Sequence, residues 1–585
     1  MSRCIGGLGQ RRAHGERPPR PHDRENAQPT IGRRARLIPT DVGSEMKIVF
    51  KEGHPVKSKP DPRRDRSAGV PPLSDRVLDR HRARVLRPGD APLAVDAPPP
   101  AGTVYRYQRL LVCDKLLANR RRLSEVDDAL IGSGYRLGRE RIPDKRADRM
   151  YRAELRLGER SGPGTVDAWN SLQLVRSAVK TGRCGGEALN GLHLEHVLVA
   201  ARGGGPSAGT PSPELESYST VYPARMPVQF AAPMPPRRPT KALTAKRRPV
   251  IAVLDTGVAP THPAFDVADR GDATDAFVQV DRGMQQAITA ESDPDAPPLD
   301  EPWDSEVSDG SLIGDVSSHF GHGTFIAGLV RQLAPDAQVR SVRVMHNDGL
   351  VYEHECMHAL SLIADEVQRA RDGDDTADPV DMVCLSFGFV DENPNDQPSG
   401  GLMRVVKRLS RLGVPVIAAA GNQATDRPFY PAALAAEQLG EDAAPIVSVG
   451  ALNPNGSVAM FSNDGDWLSC FATGAAMVST FPAYGNGSRR AGQGGFLGSR
   501  YRESYDVDDF SSGWAVWNGT SFAAPVVASA VANSLLCVPG VDLTDYSPSA
   551  RSARVDAAIR AVREGATLSR SAQGGGEGAC LVGAV

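Results

Sequence analysis

The chain carries a hydroxyl, an imidazole, a carboxylate and a carboxamide in four short and distinctive settings. Ser521 lies in Asn518-Gly519-Thr520-Ser521-Phe522-Ala523-Ala524-Pro525, followed by a run of small apolar residues. That reads as a turn feeding a tightly packed helix with Ser521 at its N-terminus, where the helix dipole favours developing negative charge. A serine before a helix can equally be a plain N-cap, so the rest of the chain has to decide. Asp255 ends the apolar run Val250–Leu254 and is followed by Thr256-Gly257-Val258. A carboxylate at the C-terminal end of a central strand lies where α/β sheets place their sites. His322 stands in Gly321-His322-Gly323-Thr324-Phe325-Ile326-Ala327-Gly328, where the flanking glycines let the backbone come close. Asn422 closes Ala418-Ala419-Ala420-Gly421-Asn422, a strand ending in a glycine turn. Each of the four sits at the end of an element, on one rim of a sheet.

In this order the motifs DTG, HGT, AAAGN and GTSFAAP resemble those of the subtilisin-like serine peptidases, the subtilases. The resemblance covers residues 249–538, and four motifs in sequence make it specific. It implies Asp255, His322 and Ser521 as a catalytic triad, Asn422 as the oxyanion-hole residue, and Ser386-Phe387-Gly388 as the strand that pairs with an extended peptide. It implies a serine endopeptidase that works through an acyl-enzyme. The chemistry of the residues agrees: a serine hydroxyl is a weak nucleophile until a base such as His322 takes its proton. Asp255 would fix the imidazole tautomer, and the Asn422 amide with the Ser521 N–H would hold the oxyanion. The alternative from another class is a catalytically inactive binding module on the same fold, which the four intact residues speak against.

Three departures from compact subtilases stand out. Phe325 follows HGT where the family usually has a second histidine. The stretch 291–315, between Asp255 and His322, holds nine acidic residues and no Lys or Arg, and reads as a solvated loop. Calcium binding is frequent in the family, but the loop has no EF-hand spacing, so no cofactor is expected. The stretch 484–516 is long and leads into Ser521, placed to narrow a substrate cleft. His319 and Asp315 are decoys, lacking the Gly-Thr and the preceding strand of the motifs. His354-Glu355-Cys356-Met357-His358 matches the HExxH pattern of zinc metalloproteases, with His354 and His358 as ligands and Glu355 as base. It falls at the start of a crossover helix and reads as a chance match on a half-exposed helix.

The elements that must position these residues follow from periodicity. The continuous apolar run 250–254 reads as a strand buried on both faces, and 339–345, 380–387, 414–420 and 446–451 read as further strands. Helical patterns at 355–369 and 402–412 alternate with them, giving an α/β, doubly wound, mostly parallel sheet over 249–540. Residues 104–200 read as a small α+β domain in the order β-α-β-β-α-β, the ferredoxin-like pattern. In subtilases such a domain inhibits by placing its last strand in the cleft, so intramolecular inhibition by 104–200 is a further expectation of the resemblance. Residues 1–103 are Arg- and Pro-rich and read as disordered, with Met46 a possible translation start. Residues 201–248 read as a solvated linker and 541–585 as a helix and flexible tail. The formal charge of -2 implies no attraction to nucleic acid or to anionic membranes. No run of about 18 apolar residues suggests a membrane span, and the N-terminus lacks an apolar signal region, so a cytosolic location is expected. The eight cysteines show no CxxC spacing. Cys384 and Cys537, in apolar runs, read as core fillers.

Overall fold

Val250–Asp255 is buried at every position, and its neighbours explain why. Ile251 and Val253 point into a core shared with the helices His322–Leu333 and Thr520–Cys537. Ala252 and Leu254 point into a second core shared with the helices Glu353–Arg371 and Gly401–Arg411. Alternate side chains serve opposite faces, so both must be apolar. The computed structural model describes residues 46–565 apart from 52, 58–64, 66, 95, 132, 139–149, 159–164, 201–224, 273–274, 295, 306, 309–313, 394–399, 441–442 and 489–492.

The sheet has nine strands in the order Ile48–Phe50, Cys470–Thr473, Ile446–Leu452, Val416–Ala419, Met382–Leu385, Val250–Asp255, Gln338–Arg343, Val278–Val280, Val267–Asp269. All neighbours are parallel except Ile48–Phe50, which runs antiparallel to Cys470–Thr473. Val250–Asp255 is the first long strand and lies inside the sheet, with later strands added on both sides. The rim at its C-terminal end is therefore the place where an open α/β sheet puts a site.

The segment before this sheet departs from expectation. Residues 46–103 are not disordered throughout. Ile48–Phe50 closes the edge of the main sheet, Asp75–Arg80 is helical, and Ala83–Leu86 pairs with Thr103–Cys113. Such short apolar runs build no core alone, but they gain one by adding to an existing sheet edge. Residues 1–45 lie outside the described residues.

Between 103 and 200 come the strand Thr103–Cys113, the helix Arg120–Ile131, the strands Tyr135–Leu137 and Met150–Leu157, the helix Ala168–Lys180 and the strand Leu192–Ala200. Leu123, Val126 and Leu130 form the buried face of the first helix, as their spacing predicts. The strands are ordered Leu192–Ala200, Thr103–Cys113, Met150–Leu157, Tyr135–Leu137. The last in sequence, here called the exit strand, also pairs with two strands from the C-terminal half, Leu350–Tyr352 and Phe387–Gly388.

The basic stretch before Val250 is not a solvated linker. Arg248 is buried and bonds both oxygens of Asp275 at 2.7 Å. Arg247 makes a two-pronged pair with Asp381 at 2.6 and 2.8 Å. Such planar fork pairs explain why arginine stands here. Helix Thr520–Cys537 spans 18 residues with mean hydropathy 1.5, apolar enough to cross a membrane by composition. It is 89% buried inside the protein and serves as its central core helix. Cys384 is a buried free thiol, as expected of a core filler, whereas Cys537 is disulfide-bonded at the half-buried end of this helix.

Candidate active site

Asp255 is the last residue of its strand and is almost fully buried. Its Oδ1 accepts the Thr256 N–H at 2.8 Å and bonds His322 Nδ1 at 2.7 Å. A carboxylate can only accept here, so Nδ1 carries the proton and Nε2 is the basic nitrogen. His322 opens the helix His322–Leu333 directly after Gly321, whose φ of 84° is left-handed. At Gly321 a Cβ would lie 2.3 Å from the Phe481 ring, and at Gly323 one would lie 2.1 Å from the Gly257 carbonyl oxygen. The HGT glycines thus let the histidine turn and the DTG turn touch, which no other residue permits. Phe325, the departure after HGT, fills the space beneath: its ring meets Phe522 at 4.5 Å and Trp517 at 5.7 Å.

Ser521 is the second residue of helix Thr520–Cys537 and is fully buried. Its hydroxyl donates to the Ser386 carbonyl at 3.0 Å. His322 Nε2 is buried with no hydrogen-bond partner among the described residues. Asn422 reaches the same place from the end of Val416–Ala419. Its Oδ1 accepts the Thr520 N–H at 2.9 Å, and Thr520 Oγ1 accepts the Gly421 N–H at 3.1 Å. This double clamp fixes which way the amide points. Its Nδ2 is buried and has no partner among the described residues. A buried amide left with two idle donors is costly. It is the arrangement expected of a group that waits for an oxyanion.

One buried carboxylate here escaped the sequence reading. Asp304 comes from the acidic stretch 291–315, which is not simply a solvated loop. Its Oδ2 accepts the hydroxyls of Thr256 at 3.3 Å and Thr324 at 3.1 Å, the residues next to Asp255 and in the HGT motif. Burial pushes its carboxyl up to about 7; Gly321 N–H and Arg343 act against this and Asp255 adds to it. The legible signal was Trp303 beside it, an aromatic in a polar stretch. Asp293, from the same stretch, is buried between Arg106 and Arg109. Arg225, just after 201–224, also serves the site: its guanidinium donates to the carbonyls of Ser317 and Phe320 at 2.6 Å, in the turn that leads to His322.

Ser386, which bonds Ser521, leads into Phe387 and Gly388. Phe387 pairs with Ala200 and Gly388 with Val199, antiparallel. On the far side Leu350, Val351 and Tyr352 pair with Val199, Leu198 and Val197. The exit strand therefore lies between two strands as a third.

The HExxH residues are not on a half-exposed helix: His354, Glu355 and His358 are all buried. Glu355 faces Arg152 at 3.8 Å and His358 Nδ1 lies 3.4 Å from Glu291. Among the described residues, the ligand atoms that do cluster are those of His196, Asp391 and Glu392. His319 bonds Ser318 and meets the His322 ring edge-on, with centroids 5.6 Å apart and planes at 65°.

The profile of the subtilase family matches residues 246–574. The chain belongs to the subtilase family. This subtilase is 28% identical to Subtilisin BL of Lederbergia lenta over 291 residues, 48% of this chain and 74% of that one. It is 27% identical to the thermophilic serine proteinase of Bacillus sp. (strain AK1) over 282 residues, 48% of this chain and 51% of that one. A solved cold adapted subtilisin-like serine proteinase aligns at 19% identity and a TM-score of 0.32, over 56% of this chain and 88% of that one. The likeness thus spans about half of this chain, and membership makes it a subtilisin-like serine peptidase.

Proposed function

We propose that this subtilase is a serine endopeptidase with Asp255, His322 and Ser521 as its triad. The observation that carries the reading is the buried, idle Asn422 Nδ2 on the same rim as an Asp255–His322 pair at 2.7 Å. The Ser521 oxygen attacks the peptide carbonyl carbon while its proton passes to His322 Nε2. The carbonyl electron pair moves to oxygen, where Asn422 Nδ2 and the Ser521 N–H would hold it. Collapse breaks the C–N bond as His322 hands its proton to the leaving amine. Water then repeats the sequence on the ester and releases the acid. The chemistry draws on no cofactor.

The endopeptidase part is supported by what lies in the cleft. The exit strand is an internal stretch of chain held as an extended ladder, as an endopeptidase would hold its substrate. The same pairing supports intramolecular inhibition by 104–200, whose element order and strand order fit a ferredoxin-like domain.

A fluorophosphonate probe on the full-length protein tests the reading. Labelling at Ser521, absent in Ser521→Ala, is expected, either at once or after cleavage within 201–249. Absence of labelling in both the intact and the cleaved protein would overturn it.

A further inference from the structure

The N-terminal sheet reaches into the cleft with a histidine, and what receives it belongs to the C-terminal half. His196 lies on the exit strand, four residues before Ala200. Its Nδ1 bonds Glu353 Oε2 at 2.7 Å and its Nε2 bonds Glu392 Oε2 at 2.7 Å. Glu353 Oε2 also accepts the His196 backbone N–H at 3.2 Å. The imidazole stacks on the Phe389 ring, with centroids 4.3 Å apart and planes 24° apart. An oxygen of Asp391 lies within 4.8 Å of the ligand atoms of His196 and Glu392. All of these residues are buried.

With both ring nitrogens facing carboxylates, each must donate, so the ring is cationic and has no lone pair for a metal. Burial opposes that charge, but Glu353 and Glu392 outweigh it and hold His196 well above its ordinary range. In return Glu392 is held well below the usual carboxylate range against its own burial.

The walls come from both sides of the cleft. Glu353 opens the helix after Leu350–Tyr352, and Phe389 and Glu392 follow Phe387–Gly388. Those two strands flank the exit strand, so the walls stay in place when the occupant leaves. Carboxylates on two sides of an aromatic face suit a flat cation.

We propose that Glu353, Phe389 and Glu392 form a pocket for a basic side chain of the substrate, arginine or protonated histidine. It takes the residue five positions before the one opposite Ser386, since Ala200, four after His196, already pairs with Phe387. This rests on the cleft being a peptidase site. A guanidinium can fork between the two glutamates and stack on Phe389. Lysine gains only the charge, and a substrate glutamate meets like charges.

Two measurements on the full-length protein test the pocket. Peptides differing only at the pocket position are offered as substrates. Arginine is expected to exceed alanine by about tenfold in kcat/KM, with glutamate below alanine. The Glu353→Gln/Glu392→Gln double variant is expected to bring arginine and alanine within about twofold. Turnover without preference in the unaltered protein overturns the proposal. The second measurement needs no turnover. In the Ser521→Ala chain, hydrogen exchange of the exit-strand amides is compared with His196 intact and in His196→Arg, His196→Ala and His196→Glu. Protection is expected to survive in His196→Arg, to fall about tenfold in His196→Ala and to fall further in His196→Glu. Equal exchange in all four overturns the pocket. No turnover of any peptide by the intact protein or by protein cleaved within 201–249, with that order of exchange intact, would remove the peptidase reading and leave the pocket supported.

Discussion

Ser386 and Ser521 hold each other by two hydrogen bonds, each hydroxyl donating to the other's carbonyl at 3.0 Å. The reason lies four residues further on. Pro525 sits inside helix Thr520–Cys537 and has no N–H, so the helix cannot bond the Ser521 carbonyl in the usual way. The Ser386 hydroxyl supplies the missing donor. It ties the backbone of the nucleophile to the strand that pairs with substrate. The Ser521 hydroxyl must in turn leave the Ser386 carbonyl to reach His322 Nε2.

Removing that donor should therefore be felt at Ser521. Ser386→Ala takes a donor away from the buried Ser521 carbonyl, at a cost of about 1–3 kcal/mol. We expect a lower urea midpoint and a reduced kcat with little change in KM. Pro525→Ala returns an N–H at the right place. In the Ser386→Ala background it should recover part of the lost stability, which a double-mutant cycle measures. Purely additive effects would break the link between Pro525 and Ser386.

Asn422 separates binding from catalysis. Its Oδ1 secures Thr520 and its Nδ2 is idle, so a change of the amide should act mainly on the transition state. Asn422→Ala is expected to lower kcat by about 10²–10³. Asn422→Asp keeps the acceptor for Thr520 but puts an anion where the oxyanion forms, and should do worse. Normal turnover of Asn422→Ala, measured with a peptide substrate, would remove it from the oxyanion hole.

Asp255, His322, Asn422 and Ser521 were legible because each lies in a local pattern. The backbone contact between Gly323 and Gly257 prints glycine into the motif, and strands buried on both faces print runs such as Val250–Leu254. Asp304, Asp293 and Arg248 were not legible. Each lies in a charged stretch that reads as solvated until its distant partner is known. Those partners, Thr256, Arg106 and Asp275, come from elsewhere in the chain. Ile48–Phe50 was missed for a related reason: three apolar residues signal nothing until an open sheet edge receives them.

Asp304 gives the fold a pH dependence of known sign. Its folded carboxyl is pushed up to about 7, whereas an unfolded aspartate ionises near the ordinary value of about 3.9. Between those values the folded protein holds a proton that the unfolded chain has lost. Stability from this group is thus full below about pH 4, falls as the pH rises towards 7 and is level above. The span corresponds to a loss on the order of 4 kcal/mol. Asp304→Asn still accepts from Thr256 and Thr324 but does not titrate. Urea midpoints at pH 5, 6, 7 and 8 in a Ser521→Ala background should converge at acid pH and favour Asp304→Asn increasingly up to neutrality. A constant offset between the two proteins would contradict the assignment.

Asp293 holds the N-terminal sheet against the C-terminal half with one carboxylate. Its Oδ2 accepts from Arg106 Nη2 at 2.7 Å and Arg109 Nε at 3.1 Å, and its Oδ1 from Arg109 Nη2 at 3.0 Å. Arg106 also lies 4.3 Å over the ring of Tyr352, which itself pairs with Val197 of the exit strand. Breaking a buried pair by removing one member strands the other charge, typically at about 3–5 kcal/mol. Asp293→Ala leaves Arg106 facing Glu195 at 3.9 Å and Arg109 facing Glu154 at 3.4 Å, both within the N-terminal sheet, and removes the tie to the C-terminal half. The sheet should then dock more weakly and the exit strand should leave the cleft more often. Fluorophosphonate labelling of Ser521 in the full-length protein is expected to become faster in Asp293→Ala. Asp293→Asn, which still accepts hydrogen bonds, should fall between it and the unaltered protein. Unchanged labelling rates would mean that the exit strand, held by its ladders to Leu350–Tyr352 and Phe387–Gly388, stays in place without this anchor.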